Sequence, residues 1–173
     1  MQEYVAGSVA AFEELYRRMS PHLFTYLVRL TREPSRAEDL LQVTFTKMHR
    51  ARDSYLAGAP VLPWVLAIAR RSFFDYRRAA GSRPEELSPD GTMPEVPQEH
   101  AVPVELAEAM ELALVRMPMA YREAIELTKI TGLSVAEAAE VLESTPSAVK
   151  LRVHRGYAML RKRLEAYNRG TQP

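Results

Sequence analysis

Cysteine is absent from the 173 residues. That excludes a disulfide framework, a cysteine-built zinc site and a thiol redox sensor within this chain, and it is consistent with a reducing compartment. No run approaches the roughly 18 to 20 apolar residues that a membrane span needs. The N-terminus, MQEYVAGSVAAFEELY, lacks the basic start and apolar core of a secretory signal. The expectation is a cytoplasmic protein with no membrane insertion. An excess of either charge is missing too: Lys and Arg number 23 against 22 Asp and Glu, and the formal net charge is +1. Any nucleic-acid binding must come from charge segregated along the chain. There is no Gly-rich phosphate loop, no metal-ligand cluster and no catalytic triad, and His22, His49, His100 and His154 are scattered. No catalytic residue, cofactor or metal is expected.

What is present is helical periodicity on either side of one irregular stretch. From Ala80 to Pro103 the chain reads AGSRPEELSPDGTMPEVPQEHAVP, with Glu85, Glu86, Asp90, Glu95 and Glu99 against Arg83 alone, and five prolines. This is the composition of an extended, solvated, self-repelling linker. The expected organisation is a helical domain over 1–80, a flexible acidic Pro-rich linker over 81–103, and a second helical domain over 104–173. No segment alternates as a half-buried strand would, so the fold class is all-α.

In the first block, Phe12, Leu15, Tyr16 and Met19 form one apolar stripe over 9–19. Ser20-Pro21 reads as a cap opening a second helix with Leu23, Phe24, Leu27 and Leu30. Glu33-Pro34-Ser35 breaks that helix. Ser35 and Glu38 have capping-box spacing for a third, with Ala37, Leu40, Leu41, Phe45 and Met48 inward. Ser54 to Pro60 is a loop. A fourth helix runs from about Val61 to Ala79, with Trp64, Val65, Ile68 and Tyr76 on one side. In the second block, Leu106, Met110 and Leu114 mark a helix. Another runs from Pro118 through Ile130, with Gly132 as its C-cap. Ser134 and Glu137 form a second capping box, opening a short helix to Leu142. Thr145-Pro146 caps a long last helix, to about Ala166.

The last two helices have helix-turn-helix proportions. Ala138 is the small residue where the two would cross. Val149, Val153, Gly156, Leu160 and Leu164 fall on one core face of the long helix. Ser147, Lys150, Leu151 and His154 lie opposite. Lys150, Arg152, Arg155, Arg161, Lys162 and Arg163 precede the first acid, Glu165. Phosphates attract such a face, and side chains near the helix start can read base edges. The third helix exposes Glu38, Asp39, Gln42 and Lys47. In the fourth, Arg70, Arg71, Arg77 and Arg78 interleave with Phe73, Phe74 and Tyr76, a mixture suited to single-stranded nucleic acid. Trp64 and Tyr76 are expected in the core. Phe73 and Phe74 cannot both be buried on one stripe, so at least one is expected near the surface.

With both blocks placed, the chain resembles the extracytoplasmic-function group of bacterial sigma factors. The stretches that carry the resemblance are AAFEELYRRMSPHLFTYLVRLT, AEDLLQVTFTKMHRARD, LPWVLAIARRSFFDYRR and MPMAYREAIELTKITGLSVAEAAEVLESTPSAVKLRVHRGYAMLRKRL, in that order. The resemblance implies an alternative sigma factor that binds core RNA polymerase and promoter DNA. It places polymerase docking at Glu38, Asp39 and Gln42. It places downstream-element binding at Ser54, Tyr55, Arg70, Arg71, Phe74, Arg77 and Arg78, with the loop from Asp53 to Leu62 holding an extruded base. Upstream-element binding falls to Ser147, Lys150, Arg152, His154 and Arg155. It also implies an acidic linker threading the RNA path of the polymerase, and an anti-sigma protein as a controlling partner. The loop SYLAGAPVLPW departs from the group's usual acidic-glycine-arginine run before the tryptophan. The chain stops soon after its last helix, so no further C-terminal regulatory domain is expected. GLSVAEAAEVLESTPSAVK also resembles the DNA-binding domain of response-regulator-type activators. A stand-alone helix-turn-helix regulator is therefore the alternative, although the first block lacks the alternating strands and acidic pocket of a receiver domain.

Overall fold

A helix stays whole where its far side has enough core to bury, even across a residue that should break it. The computed structural model, which describes residues 1–81 and 104–170 (side chains at 104–108 and 166–170 excepted), shows this at Pro21. Helix α2 runs unbroken from Val9 to Thr31, after a short α1 at Gln2–Val5. The expected division at Ser20-Pro21 does not occur. Pro21 has no N–H for the Arg17 carbonyl, a loss that with ring crowding costs about 3 kcal/mol in a helix interior. Beyond it, however, Leu23, Tyr26, Leu27 and Leu30 are all buried, and this packing outweighs the local penalty. Ser20 is not a cap; its hydroxyl donates to the Tyr16 carbonyl at 2.6 Å.

Helix α3 spans Pro34–Arg50 and α4 spans Val61–Ala79. The capping box expected at Ser35 is also absent. Proline sits at the first helical position, where its missing N–H is no loss and its φ is preset, so the cap is Glu33 and the helix starts two residues early. Ser35 lies inside the first turn and donates to Glu33 Oε1 at 3.0 Å instead. The inward stripe of α3 is as expected: Ala37, Leu40, Leu41, Phe45 and Met48 are buried, together with Val65, Leu66, Ile68, Ala69 and Phe73 of α4. Trp64 and Tyr76 are only half-buried. Helix α1 was not foreshadowed by periodicity. Its Tyr4 is 4% exposed, packs on the Phe12 ring, and joins an aromatic group with Tyr16 and Phe45.

The second unit contains α5 (Val104–Val115), α6 (Met119–Ile125), α7 (Val135–Val141) and α8 (Pro146–Gly170). The two units are separate compact bodies. The expected linker, apart from Gly81, lies outside the described residues, as does the Leu106 side chain. Among the described residues there is no strand. Met110 is 39% exposed, so the inward face of α5 is Ala109, Ala113 and Leu114, leading to Met117. The helix expected to end at Ile130 changes character: Glu126–Ile130 is a π turn, closed by the Thr131 N–H on the Glu126 carbonyl at 2.8 Å. Gly132 then reverses the chain at φ +77. The capping box at Ser134 is present. Glu137 N–H donates to Ser134 Oγ at 3.2 Å, and Ser134 N–H donates to Glu137 Oε2 at 2.8 Å.

Val149 and Leu160 are buried on the core face of α8, while Val153 and Leu164 are half-buried. Gly156 makes this contact possible. A Cβ there would lie 2.6 Å from Ile125 Cδ1 and 3.3 Å from its Cγ1. Ile125 is 4% exposed, enclosed with Met117, Leu114 and Leu160, and has little room to yield.

Two outcomes follow for denaturation of the full chain. Gly156→Ala gains about 1 kcal/mol of helix propensity but overpacks the core by about 1–3 kcal/mol. The transition of the second unit is expected to fall rather than rise. Hydrogen bonds from the Ser134 hydroxyl and backbone hold the Glu137 carboxyl below its ordinary pKa. Its contribution is therefore complete above the ordinary glutamate pKa and lost as pH falls through the lowered one. Glu137→Gln should destabilise at pH 7 and be close to neutral in acid, read as the gap between the two proteins' urea midpoints.

Candidate polymerase and nucleic-acid interfaces

On α3, Glu38, Asp39 and Gln42 are all exposed, and so is Val43, at 41%. An apolar residue off the buried stripe is a signal that stripe-finding passes over. A recess of about 330 Å³ lies between α3 and α4, lined by Arg36, Asp39, Val43, Lys47, Asp75 and Tyr76 among others. Its rim is held by ion pairs. Lys47 Nζ is 2.8 Å from Asp75 Oδ2, and Arg36 Nη1 is 3.5 Å from Asp39 Oδ2. The Arg36 guanidinium also lies 4.7 Å over the Tyr76 ring. Lys47, with Arg78 behind it, holds the Asp75 carboxyl below the usual carboxylate range. Lys47 is thus engaged in joining two helices.

The candidates on α4 divide. Arg71 and Arg78 are exposed, and Arg78 shares Asp75 with Lys47. Arg70 is half-buried, its guanidinium 4.7 Å over the Phe74 ring, and Phe74 is itself half-buried beside the buried Phe73. One of the two phenylalanines therefore does reach the surface. Arg77 does not: it is 6% exposed, 6.0 Å from the Phe73 ring centroid. The expectation that it faces nucleic acid is corrected by its register. Ala69, Phe73 and Arg77 follow at intervals of four, and the first two are core.

Between α3 and α4 the loop is tied down by its own side chains. Ser54 is exposed and its hydroxyl donates to the Ala51 carbonyl at 2.7 Å. The Tyr55 hydroxyl donates to the Ala59 carbonyl, and its ring meets Trp64 edge-on at 5.1 Å. Next to the loop, Arg52 Nη1 donates to His49 Nε2 at 2.9 Å, and His49 Nδ1 lies 2.8 Å from the Tyr4 hydroxyl. Arginine can only donate, so in the neutral ring Nδ1–H donates to Tyr4. Burial pushes the Tyr4 phenol pKa up, against the opposing effect of nearby Arg52.

On α8, Ser147, Lys150, His154 and Arg155 are exposed, and Arg152 is half-buried. Leu151 shares this face at 48% exposure. The turn before the helix is fixed by local bonds. Glu143 takes φ 50, its N–H reaches the Glu140 carbonyl at 3.2 Å, and the Ser144 N–H reaches Ala139 at 2.9 Å. Thr145 caps α8 through the Ala148 N–H at 3.2 Å. Ala138 is fully buried, as expected for the crossing of α7 and α8. Arg163 serves the fold, donating to the Ala113 and Arg116 carbonyls at 3.2 and 2.9 Å and so closing the end of α5. Among the described residues, no group of three or more His, Asp or Glu could hold a metal ion, and no helix is long and apolar enough to cross a membrane.

Two family descriptions match this chain: Sigma-70 region 2 over residues 15–83, and Sigma-70, region 4 over residues 107–160. The chain is 33% identical over 172 residues to the ECF RNA polymerase sigma factor SigM of Mycobacterium tuberculosis, covering 96% of this chain and 84% of that protein. The chain belongs to the extracytoplasmic-function sigma factors of the sigma-70 family. It is similar along almost its whole length to the RNA polymerase sigma factor CarQ of Myxococcus xanthus, with 32% identity over 170 residues and 95% of each chain covered. The sigma factor RpoE of Bartonella quintana, solved with the anti-sigma factor NepR, matches with a TM-score of 0.73 at 26% identity, covering 91% of this chain and 98% of that one. CnrH, solved with the cytosolic domain of CnrY, matches with a TM-score of 0.72 at 27% identity, covering 95% and 94%. As a sigma factor the protein directs core RNA polymerase to promoters at initiation. A stand-alone regulator would not account for a region 2 match over the first unit.

The separation of Arg77 from its neighbours can be read directly. Arg77→Ala should lower the stability of the first unit by about 2 kcal/mol, through lost packing of its stem and head. Arg78→Ala should leave it within about 0.5 kcal/mol of wild type. Thermal unfolding of the full chain followed by circular dichroism distinguishes the two.

Proposed function

We propose that three surfaces divide the work of this sigma factor. Glu38, Asp39 and Gln42, with Val43 and the recess beside them, form the docking face for core RNA polymerase. Ser54, Tyr55, Arg70, Arg71, Phe74 and Arg78 engage the melted downstream element; buried Arg77 holds this surface in shape. Ser147, Lys150, Arg152, His154 and Arg155 meet the upstream element. The observation that carries the reading is α8: its basic start is exposed, while its opposite face is locked to α6 at Gly156. That leaves the reading end free to enter a major groove. An anti-sigma protein as controlling partner is supported by the likeness to RpoE, solved with NepR. The protein is read as cytoplasmic, where its polymerase works, and as having no catalytic site of its own.

Each unit offers few base contacts and binds DNA weakly alone. Tethered and aligned by polymerase, the second contact becomes intramolecular and gains by effective concentration. Run-off transcription with bacterial core polymerase on promoter fragments should give start-site-specific transcripts only when this protein is added. Lys150→Ala should weaken promoter binding across all sequences and reduce the salt-dependence slope by about 1. Tight, sequence-specific binding of the protein alone to an inverted repeat, with no transcripts, would overturn the proposal in favour of a helix-turn-helix regulator.

A further inference from the structure

One carboxylate on α4 touches both of the surfaces assigned to the first unit. Asp75 Oδ2 is 2.8 Å from Lys47 Nζ of α3, and its Oδ1 is 2.5 Å from Nη2 of Arg78, three residues on in α4. Lys47 and Asp75 line the recess beside the proposed docking face, together with Asp39 and Val43. Arg78 is among the residues proposed to meet melted DNA. Each oxygen of Asp75 therefore holds a cation from a different surface.

Two cations share one anion here. Arg36, the other cation of the recess, is engaged elsewhere: it lies 3.5 Å from Asp39, 3.9 Å from Glu33, and over the Tyr76 ring. Lys47 and Arg78 hold the Asp75 carboxyl below the usual carboxylate range, so it is ionised at neutral pH. The Arg78 side chain is 77% exposed and that of Asp75 48%. In water a pair of this kind changes an equilibrium by about fivefold at most. A contact so weak can be exchanged. A phosphate matches the guanidinium fork as a carboxylate does, and it can take Arg78 only by displacing Asp75. An anion shared between two cations also holds each less firmly than it would hold one alone, because the cations repel one another.

We propose that Asp75 is a positioning residue that competes with promoter phosphate for Arg78, and that Lys47, by sharing the carboxylate, sets how firmly Arg78 is held. This rests on the reading of Arg78 as a contact to melted promoter DNA. The two surfaces are thereby linked. An anion that takes Lys47 at the recess tightens the hold on Arg78, and a cation brought to Asp75 releases it. Coupling of this kind is reciprocal. DNA bound to Arg78 leaves Asp75 to Lys47 alone, and so strengthens the tie between α3 and α4 beside the recess.

The test uses holoenzyme assembled from core polymerase and the full chain, and purified so that differences in docking do not enter. It is titrated, over a range of salt, on a promoter fragment that yields run-off transcripts with the wild type. Arg78→Ala should weaken binding and reduce the salt-dependence slope by about 1. Asp75→Asn should tighten binding about threefold, although it removes a tie between two helices; a merely structural role would weaken binding instead. That gain should vanish in the Arg78→Ala background, whereas simple loss of a negative charge near DNA would give it in both. Lys47→Met should weaken binding about twofold and have no effect in the Asp75→Asn background. If Arg78→Ala weakens binding but Asp75→Asn brings no gain, or the same gain with and without Arg78, the restraint is overturned while the DNA contact stands. If Arg78→Ala changes neither affinity nor slope, both fall.

Discussion

At Gly156 the backbone of α8 comes so near Ile125 that not even a methyl group fits between them. Everything the second unit presents depends on that approach. A helix 25 residues long can be held to a small domain along only part of its length. The contact that fixes its rotation decides which residues face outward. With Gly156, Val149 and Leu160 turned in, Ser147, Lys150, His154 and Arg155 have nowhere to point but away from the core. A bulkier residue would push the helix out or turn it, and the charged face would turn with it. Packing here determines electrostatics.

In the first unit the balance is reversed, and charges help to fix the geometry. Lys47 and Asp75 tie α3 to α4 at the edge of a recess, Arg36 lies over Tyr76, and Arg77 is taken into the core against Phe73. Exposed pairs of this kind contribute little to stability individually. Their effect is on spacing: the groove between the helices keeps an open, partly apolar floor at Val43 because its walls are held from the sides. A net charge of +1 thus conceals a division of labour. Some cations are committed to the fold, Arg77 by burial and the exposed Arg163 by its bonds to the end of α5, and others remain on the surface.

Where side-chain chemistry was local, the sequence was a reliable guide. The box at Ser134 and Glu137, the cap at Thr145, the αL glycine at 132, the span of α4 and the inward stripe of α3 all have the structure their residues suggest. The departures occur where distant residues decide. Pro21 reads as a boundary until the buried face beyond it is known. Ser35 reads as a cap until Pro34 starts the helix before it. Among the site candidates, the exposed positions on α3 and α8 were legible from period alone. Arg77 was misread because arginines interleaved with aromatics suggest a surface, although its spacing from Ala69 and Phe73 pointed inward. The part played by α1 was not legible: four residues are too few to show a period, and Tyr4 is tied to His49, 45 positions away.

The turn between α7 and α8 has a consequence for how the protein comes into being. Each hydrogen bond that caps α7 and closes the turn into α8 joins residues no more than five apart, from Ser134 through Ala139 and Ser144 to Ala148. Closures over such short distances take place within microseconds or less. The first unit, by contrast, must wait for Tyr4 to find His49. During synthesis the turn between α7 and α8 can therefore close as soon as both helices have emerged, whereas α1, the element made first, stays unfinished until α3 has followed it. The first helix made is thus not the first one finished, since its anchor lies 45 positions behind it.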